Sequence, residues 1–280
     1  MEIGGRQIEL KEGEPLIIYF MGDIHEGEAN CQHDQLNRGV KEIAQAAKDN
    51  KNTLVILMGD LANCIVPSDS RRFNPIEMDR SYSIHDLVDL PKKQTARIKE
   101  YLRPISKSVD IILAGNHEEE FIKRHNFNIY KEFCEAYPGA FRMGYVGLYR
   151  YTVKIKGDST SMVLDLALNH GAVKSVEKTF TWFDADINVQ GHTHRLYSEP
   201  AEIVSLNNAG TDLTKQFKWW GISGCFLKTY VAGNRNYFEP KGAKPSDIGM
   251  LKAEVVFQRR RNAGRRSWVK DIKLDRRFIN

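Results

Sequence analysis

Residues 16–25 read Leu-Ile-Ile-Tyr-Phe-Met-Gly-Asp-Ile-His, an apolar run that stops at a glycine, a carboxylate and an imidazole. A short continuous run of aliphatic and aromatic residues reads as a buried strand, so the ionisable pair stands where the strand ends. The arrangement recurs along the chain. Thr53 to Met58 leads into Gly59-Asp60, and Val109 to Ala114 into Gly115-Asn116-His117-Glu118. Met162 to Leu168 leads into Asn169-His170-Gly171, and Ile187 to Gln190 into Gly191-His192-Thr193-His194. Five of the eight histidines fall at these ends.

Helical stretches separate the runs. Leu36, Val40, Ile43, Ala44 and Ala47 recur at three- and four-residue spacing, which predicts an amphipathic helix over His33 to Asn50. Pro91 suits the start of a second helix that reaches Leu102 and is stopped by Pro104, and Glu118 to Tyr137 reads as a third. Val173, Val176, Phe180 and Phe183 outline one more. Alternating strands and helices give an α/β core. Strand-like runs at 149–156, 162–168, 202–206, 251–258 and 268–274 add a second, more antiparallel sheet, and Asn262-Ala263-Gly264 marks a turn between the last two. The expected organisation is one domain over residues 1–280, with an insertion at about 64–91 and a basic C-terminal hairpin at about 250–280.

Composition excludes several classes. The 280 residues are 41% hydrophobic, 28% charged and 10% aromatic, as in ordinary globular proteins rather than disordered or fibrous ones. A chain of this length buries roughly 70 to 75% of its unfolded surface, so it needs no disulfide or metal simply to fold. No apolar run approaches the roughly 20 residues of a membrane helix, and Met1 to Arg6 lacks the apolar core of a signal peptide, so the expectation is a cytoplasmic protein without a membrane partner. Cys31, Cys64, Cys134 and Cys225 form no C-x-x-C pair and are expected to be reduced and structural. The net charge of +5 belongs to the tail: residues 251–280 carry ten Lys or Arg against three acids. Such a patch suits nucleic-acid phosphates, and equally guards a solvated edge hairpin against aggregation.

Ligands of open α/β sheets gather outside the carboxyl ends of the strands, so five such ends surround one crevice. Residues two apart on an extended segment point the same way, which pairs Asp23 with His25 and His192 with His194. Two carboxylates, four imidazoles and one amide, without thiolates, form a mixed oxygen and nitrogen set suited to Mn, Fe, Zn or similar divalent ions. Seven groups exceed the needs of one open catalytic ion and suit two ions sharing a carboxylate, an arrangement fitted to phosphoryl chemistry. A D-x-H triplet alone arises about 0.5 times by chance in this composition; five segments in order carry the reading.

The order D-x-H, G-D, G-N-H-E, H and G-H-x-H resembles the calcineurin-like metallophosphoesterases. The resemblance implies a four-layer α/β/β/α sandwich of two mixed sheets flanked by helices, and a metal-dependent hydrolase of phosphate esters. It implies that Asp23, His25 and His194 hold one metal, that Asn116, His170 and His192 hold the other, and that Asp60 bridges them. His117 is then the histidine near the leaving oxygen. The expected cofactors are two divalent ions, Mn²⁺ first, with Fe, Zn or Ni as alternatives. The family's protein Ser/Thr phosphatases carry arginines beside the second and third blocks, where this chain has Gly59-Asp60-Leu61-Ala62-Asn63-Cys64 and Leu113-Ala114-Gly115, which disfavours that branch. Asn63 stands where some members have an acid.

Within the insertion, Arg71 and Arg72 near Phe73 and Tyr82 suit phosphates and bases and are candidate substrate-binding residues, against a solvated surface loop or dimer contact. Lys215, Lys218, Trp219, Trp220 and Phe226 form a candidate stacking platform, more often a core feature. The expected activity is a phosphodiesterase acting on nucleic acid or nucleotides; the alternatives are a phosphomonoesterase or nucleotide pyrophosphohydrolase, and a non-catalytic scaffold.

Overall fold

A computed structural model describes residues 1–125, 127–171, 183–206, 211–233, 239, 242–262 and 265–279. Two mixed six-stranded sheets form an α/β fold. The first contains β2 (Pro15–Met21), β3 (Thr53–Leu57), β4 (Val109–Leu113) and β5 (Phe141–Gly144), all parallel, with β11 (Gly249–Asn262) added antiparallel beside β2 and β12 (Arg265–Phe278) antiparallel to β11 at the edge. The second has the order β1 (Glu2–Leu10), β6 (Val146–Ile155), β7 (Ser161–Asn169), β8 (Ile187–Gln190), β10 (Leu213–Ser223) and β9 (Leu196–Leu206).

Alternation along β2 explains the layering. Ile17, Tyr19 and Met21 face the helices, whereas Leu16, Ile18 and Phe20 face the other sheet, where they meet Tyr151, Leu166 and Val189. Helices α1 (His33–Asp49), α2 (Leu90–Leu102), α3 (Asn116–Arg124) and α4 (Ile129–Ala136) send Val40, Ile98, Phe121 and Phe133 into that outer core. All four described helices cover the first sheet. The helix expected through Val173, Val176 and Phe180 lies outside the described residues, and Phe183 is not helical. Among the described residues no helix is long and apolar enough to cross a membrane.

Three expectations need correction. The stretch from Glu118 to Tyr137 is two helices, not one: α3 ends at Arg124, and Asn128 caps α4 by accepting the Lys131 amide at 2.8 Å. Runs 251–258 and 268–274 belong to the first sheet, because β11 pairs with β2 from Leu251↔Phe20 to Val256↔Pro15. Glu2–Leu10, with its two glycines, carried no strand signal, yet pairs parallel to β6 over its whole length; its register comes from a partner 145 residues later in sequence, as Glu2↔Gly147 shows.

The hairpin also sets a direction. Beyond Val256↔Pro15, β11 continues past the start of β2, so the Arg259–Arg261 tip projects from the pole opposite Asp23. Trp219 pairs with Ile187, the first residue of β8, and therefore stands toward the same far pole. The Arg259–Arg261 tip and Trp219 do not face the strand ends that carry the histidines, whereas Arg276 and Arg277, opposite Leu251 and Met250, lie back at the level of the end of β2; Phe226 is buried in the outer core.

Candidate metal centre

Strands β2, β3, β4, β7 and β8 all end on one edge, and the residues that follow converge there. Asp23, His25, Asp60, His117, His170 and His194 are buried, and His192 is half-buried. His25 Nε2 lies 3.0 Å from His194 Nε2, which lies 3.3 Å from Asp23 Oδ1. His170 Nε2 lies 3.2 Å from Asp60 Oδ2 and 3.3 Å from Asn116 Oδ1. Asp60 Oδ2 is also 3.8 Å from His25 Nε2, so this carboxylate stands between the groups. His192 falls with Asp60 and His170, while His194 falls with Asp23 and His25. The G-H-x-H histidines thus separate instead of acting as a pair.

The local backbone differs from the extended segments expected. Asp23, His25, Asp60, Cys64, His192 and His194 all have positive φ, between 48° and 74°. For a residue with a Cβ this conformation costs of order 1 kcal/mol or more, so five of the seven candidate ligands are held in strained turns. The turns are made largely by the ligands; the motif glycines chiefly supply room. A Cβ on Gly115 would stand 2.0 Å from Asp60 N, and one on Gly191 would stand 2.8 Å from His170 Nδ1.

Hydrogen bonds fix the rings. His170 Nδ1 donates to the Met58 carbonyl at 2.5 Å, and His117 Nδ1 to the Asn63 carbonyl at 2.7 Å. A carbonyl only accepts, so in both rings Nε2 is the nitrogen left for the centre. The His117 amide donates to Asp60 Oδ1 at 2.9 Å, and the His192 amide to Asp23 Oδ2 at 2.9 Å. By distance, His117 groups with His25 and Asp60, and its ring meets His25 edge-on at 4.6 Å between centroids.

Charge follows from burial and partners. Burial pushes the His25 pKa down to about 4, so this ring is neutral at pH 7. Burial acts the same way on His170, but the charges of Asp60, Asp23 and Glu118 outweigh it and raise its pKa. Burial opposes ionisation of Asp60, yet His170, His117 and His25 hold it well below the usual carboxylate range.

These residues fit a pair of divalent ions. Two ligands of one ion with bonds near 2.1 Å stand about 3.0 to 3.4 Å apart, which matches the closest pairs here. The buried Asp23 Oδ1 receives no hydrogen bond, as expected of an atom reserved for a cation.

Two contributors escaped the sequence reading. Glu118 sits in a run of three glutamates at the start of α3, where the helix dipole favours acids at the surface, but it is buried. It accepts the amides of Asp60, Leu61 and Ala62 at 3.2, 2.7 and 3.1 Å, clamping the loop that presents Asp60. Glu26, next to His25, is fully buried. It accepts from Tyr82 Oη at 2.9 Å and Arg97 at 3.1 Å, and lies 2.8 Å from His33 Nε2, which fastens the 64–91 segment to the D-x-H loop. Of the histidines outside the blocks, His33 serves this anchor, His125 stacks on Phe121 and His85 is exposed.

The anchored segment walls a cavity of about 630 Å³ over the centre, lined by Arg71, Arg72, Phe73 and Asn74 opposite Asn116, His117 and His192. Arg71 and Arg72 therefore share one cavity with the candidate ligands.

A family model described as calcineurin-like phosphoesterase matches residues 16–246, which contain all five blocks. No curated protein matches the sequence. Among solved structures, vacuolar protein sorting 29 from Cryptosporidium parvum is 16% identical, with a TM-score of 0.36 over 93% of this chain and 99% of that one. The calcineurin-like phosphoesterase YfkN from Bacillus subtilis is 14% identical, with a TM-score of 0.37 over 95% and 91%. NAD nucleotidase from Haemophilus influenzae is 11% identical, with a TM-score of 0.45 over 96% of this chain and 51% of that one. None of the three is similar enough to carry an argument about activity.

Proposed function

The chain belongs to the calcineurin-like phosphoesterase family, and from that premise we propose that it is a dinuclear metal hydrolase of phosphodiesters in nucleic acid or nucleotides. The observation that carries the reading is the convergence of two carboxylates, four imidazoles and an amide at one sheet edge, beneath a cavity with arginines in its wall. Asp23, His25 and His194 would hold one ion and Asn116, His170 and His192 the other, with Asp60 shared between the two groups. A pair of divalent ions, Mn²⁺ in the first instance, would supply polarisation of the phosphoryl oxygens and a hydroxide at neutral pH.

The protein's own groups do the rest. Asp60, fixed by the His117 amide and the Glu118 clamp, presents its oxygens without rotamer search. His117, its Nδ1–H committed to the Asn63 carbonyl, directs Nε2 to the leaving oxygen; as the imidazolium, with Nε2 also protonated, it would donate that proton or a hydrogen bond as the ester bond breaks and leave as the neutral ring. Arg71 and Arg72 take phosphate oxygens turned away from the metals. A diester is favoured because the cavity has volume for a group on each side of the phosphorus.

The deciding experiment compares initial rates on a bis-aryl phosphodiester and the matching aryl monoester, with Mn²⁺, other divalent ions and chelator. Diester preference that vanishes with chelator is expected. Cleavage of the monoester alone under every metal replaces this reading with a phosphomonoesterase. No metal-dependent rate on either, together with an empty site by metal analysis, replaces it with a scaffold.

A further inference from the structure

The two cavity arginines differ in how they are held. Arg71 is exposed and makes no ion pair among the described residues. Arg72 is partly buried, and its Nε donates to Asp69 Oδ2 at 2.6 Å. Asp69 is itself 3% exposed, and its other oxygen lies 2.9 Å from Arg124 on α3, the helix whose first residues are Asn116 and His117. The Arg72 and Phe73 amides both donate to the Asp69 carbonyl, at 3.0 and 2.8 Å, so backbone and side chain of the turn are fixed together.

A buried carboxylate between two guanidiniums explains the geometry. Arg72 meets it by a hydrogen bond and Arg124 by charge, without a hydrogen bond to Oδ1, and it ties the cavity wall to the helix that presents His117. Holding Arg72 through Nε leaves the terminal nitrogens, the fork that matches two phosphate oxygens, without another partner among the described residues in the cavity that Arg72 lines. An arginine so held has already lost its rotamer freedom before substrate arrives; Arg71 has not.

We infer that Asp69 is a positioning residue for substrate phosphate: with Arg124 it fixes Arg72 as the cavity's preorganised anion clamp, leaving Arg71 an auxiliary contact. The assignment rests on the phosphoesterase reading, so its test includes a measurement that needs no turnover. Inorganic phosphate is titrated calorimetrically into the full-length protein saturated with Mn²⁺, and diester hydrolysis is assayed separately. Asp69→Asn and Arg72→Ala are each expected to weaken phosphate binding about tenfold, with the double variant no worse than Arg72→Ala alone, because both remove one interaction. Arg72→Lys keeps the charge but loses the Nε donor and is expected to lose nearly as much as Arg72→Ala; Arg71→Ala is expected to lose about twofold. Should Asp69→Asn fail to fold, Arg72→Lys decides alone. Wild-type affinity in Arg72→Lys, additive losses in the double variant, or no phosphate binding by the wild type overturns the inference. Phosphate binding that depends on Asp69 in a protein that hydrolyses nothing leaves the clamp standing and removes the phosphoesterase reading.

Discussion

The two poles of the sandwich are built from different physics. At the histidine-bearing edge, buried imidazoles and carboxylates stand 3.0 to 3.8 Å apart, several on left-handed turns, and burial and their mutual charges set their protonation. At the opposite pole the β11–β12 tip carries Arg259, Arg260 and Arg261, of which Arg260 is 59% exposed in its side chain and pairs with Asp271 across the hairpin. Exposed pairs of this kind contribute about 0 to 1 kcal/mol, whereas removing one member of a buried set leaves uncompensated charge. The hairpin tip, with three of the tail's ten basic residues, thus stands apart from the buried histidines and carboxylates.

The contrast breaks first at Asp60. Asp60→Asn is expected to cut diester turnover at least about 10³-fold and to lower bound metal, because both half-sites lose a shared charge; near-normal turnover with full metal occupancy would remove its bridging role. His117→Ala is expected to lose about 10² to 10³ in kcat with metal content retained, measured by elemental analysis beside steady-state kinetics. An unchanged kcat denies it a part in the chemistry. Glu118→Gln weakens the Asp60 loop without touching a ligand, and a loss of between about 10- and 100-fold in metal affinity is expected, read by competition with a chelator; unaltered affinity means the loop holds itself.

A subtler difference lies within the histidine-bearing pole. His25 is already neutral at pH 7, but the raised pKa of His170 keeps it protonated until a cation displaces the proton. Affinity at the Asp60–His170–His192 group should therefore rise with pH, by up to about tenfold per unit while His170 remains protonated, and fall as acid is added. The Asp23–His25–His194 group gains no such slope from His25 between pH 6 and 8. Calorimetry in buffers of differing protonation enthalpy reads the released proton directly, and equal proton release at both half-sites would contradict the distinction. The smallest effect belongs to the far pole: Arg260→Ser with Arg261→Ser should change turnover of a small aryl diester by less than about twofold. A large loss would bring the hairpin tip into the function.

Much of this was legible in the chain because its signals are local. Runs of four to seven residues that stop at Gly-Asp, Gly-Asn-His, Asn-His or Gly-His mark both the strand and the place where it ends. Parallel pairing makes the ends of β2, β3 and β4 share one edge and those of β7 and β8 another, and packing of the two sheets brings Asp23, Asp60 and Asn116 to His170 and His192, although 169 positions separate Asp23 from His192. The reason given for the D-x-H and H-x-H spacing did not survive, since periodicity assumes extended backbone and these residues occupy left-handed turns.

Sequence alone determined the α/β class, the family pattern and the residue types that gather at the centre, because each depends on neighbours within a few positions. Tertiary structure decided the rest. The membership of β11 and β12 in the first sheet, the strand at Glu2–Leu10 and the direction of the basic tip all depend on pairing between distant segments. The roles of Glu118 and Asp69 are of the same kind. A carboxylate in a helical acidic run or a polar loop looks solvated until packing removes its water and leaves backbone amides or guanidiniums as its only partners.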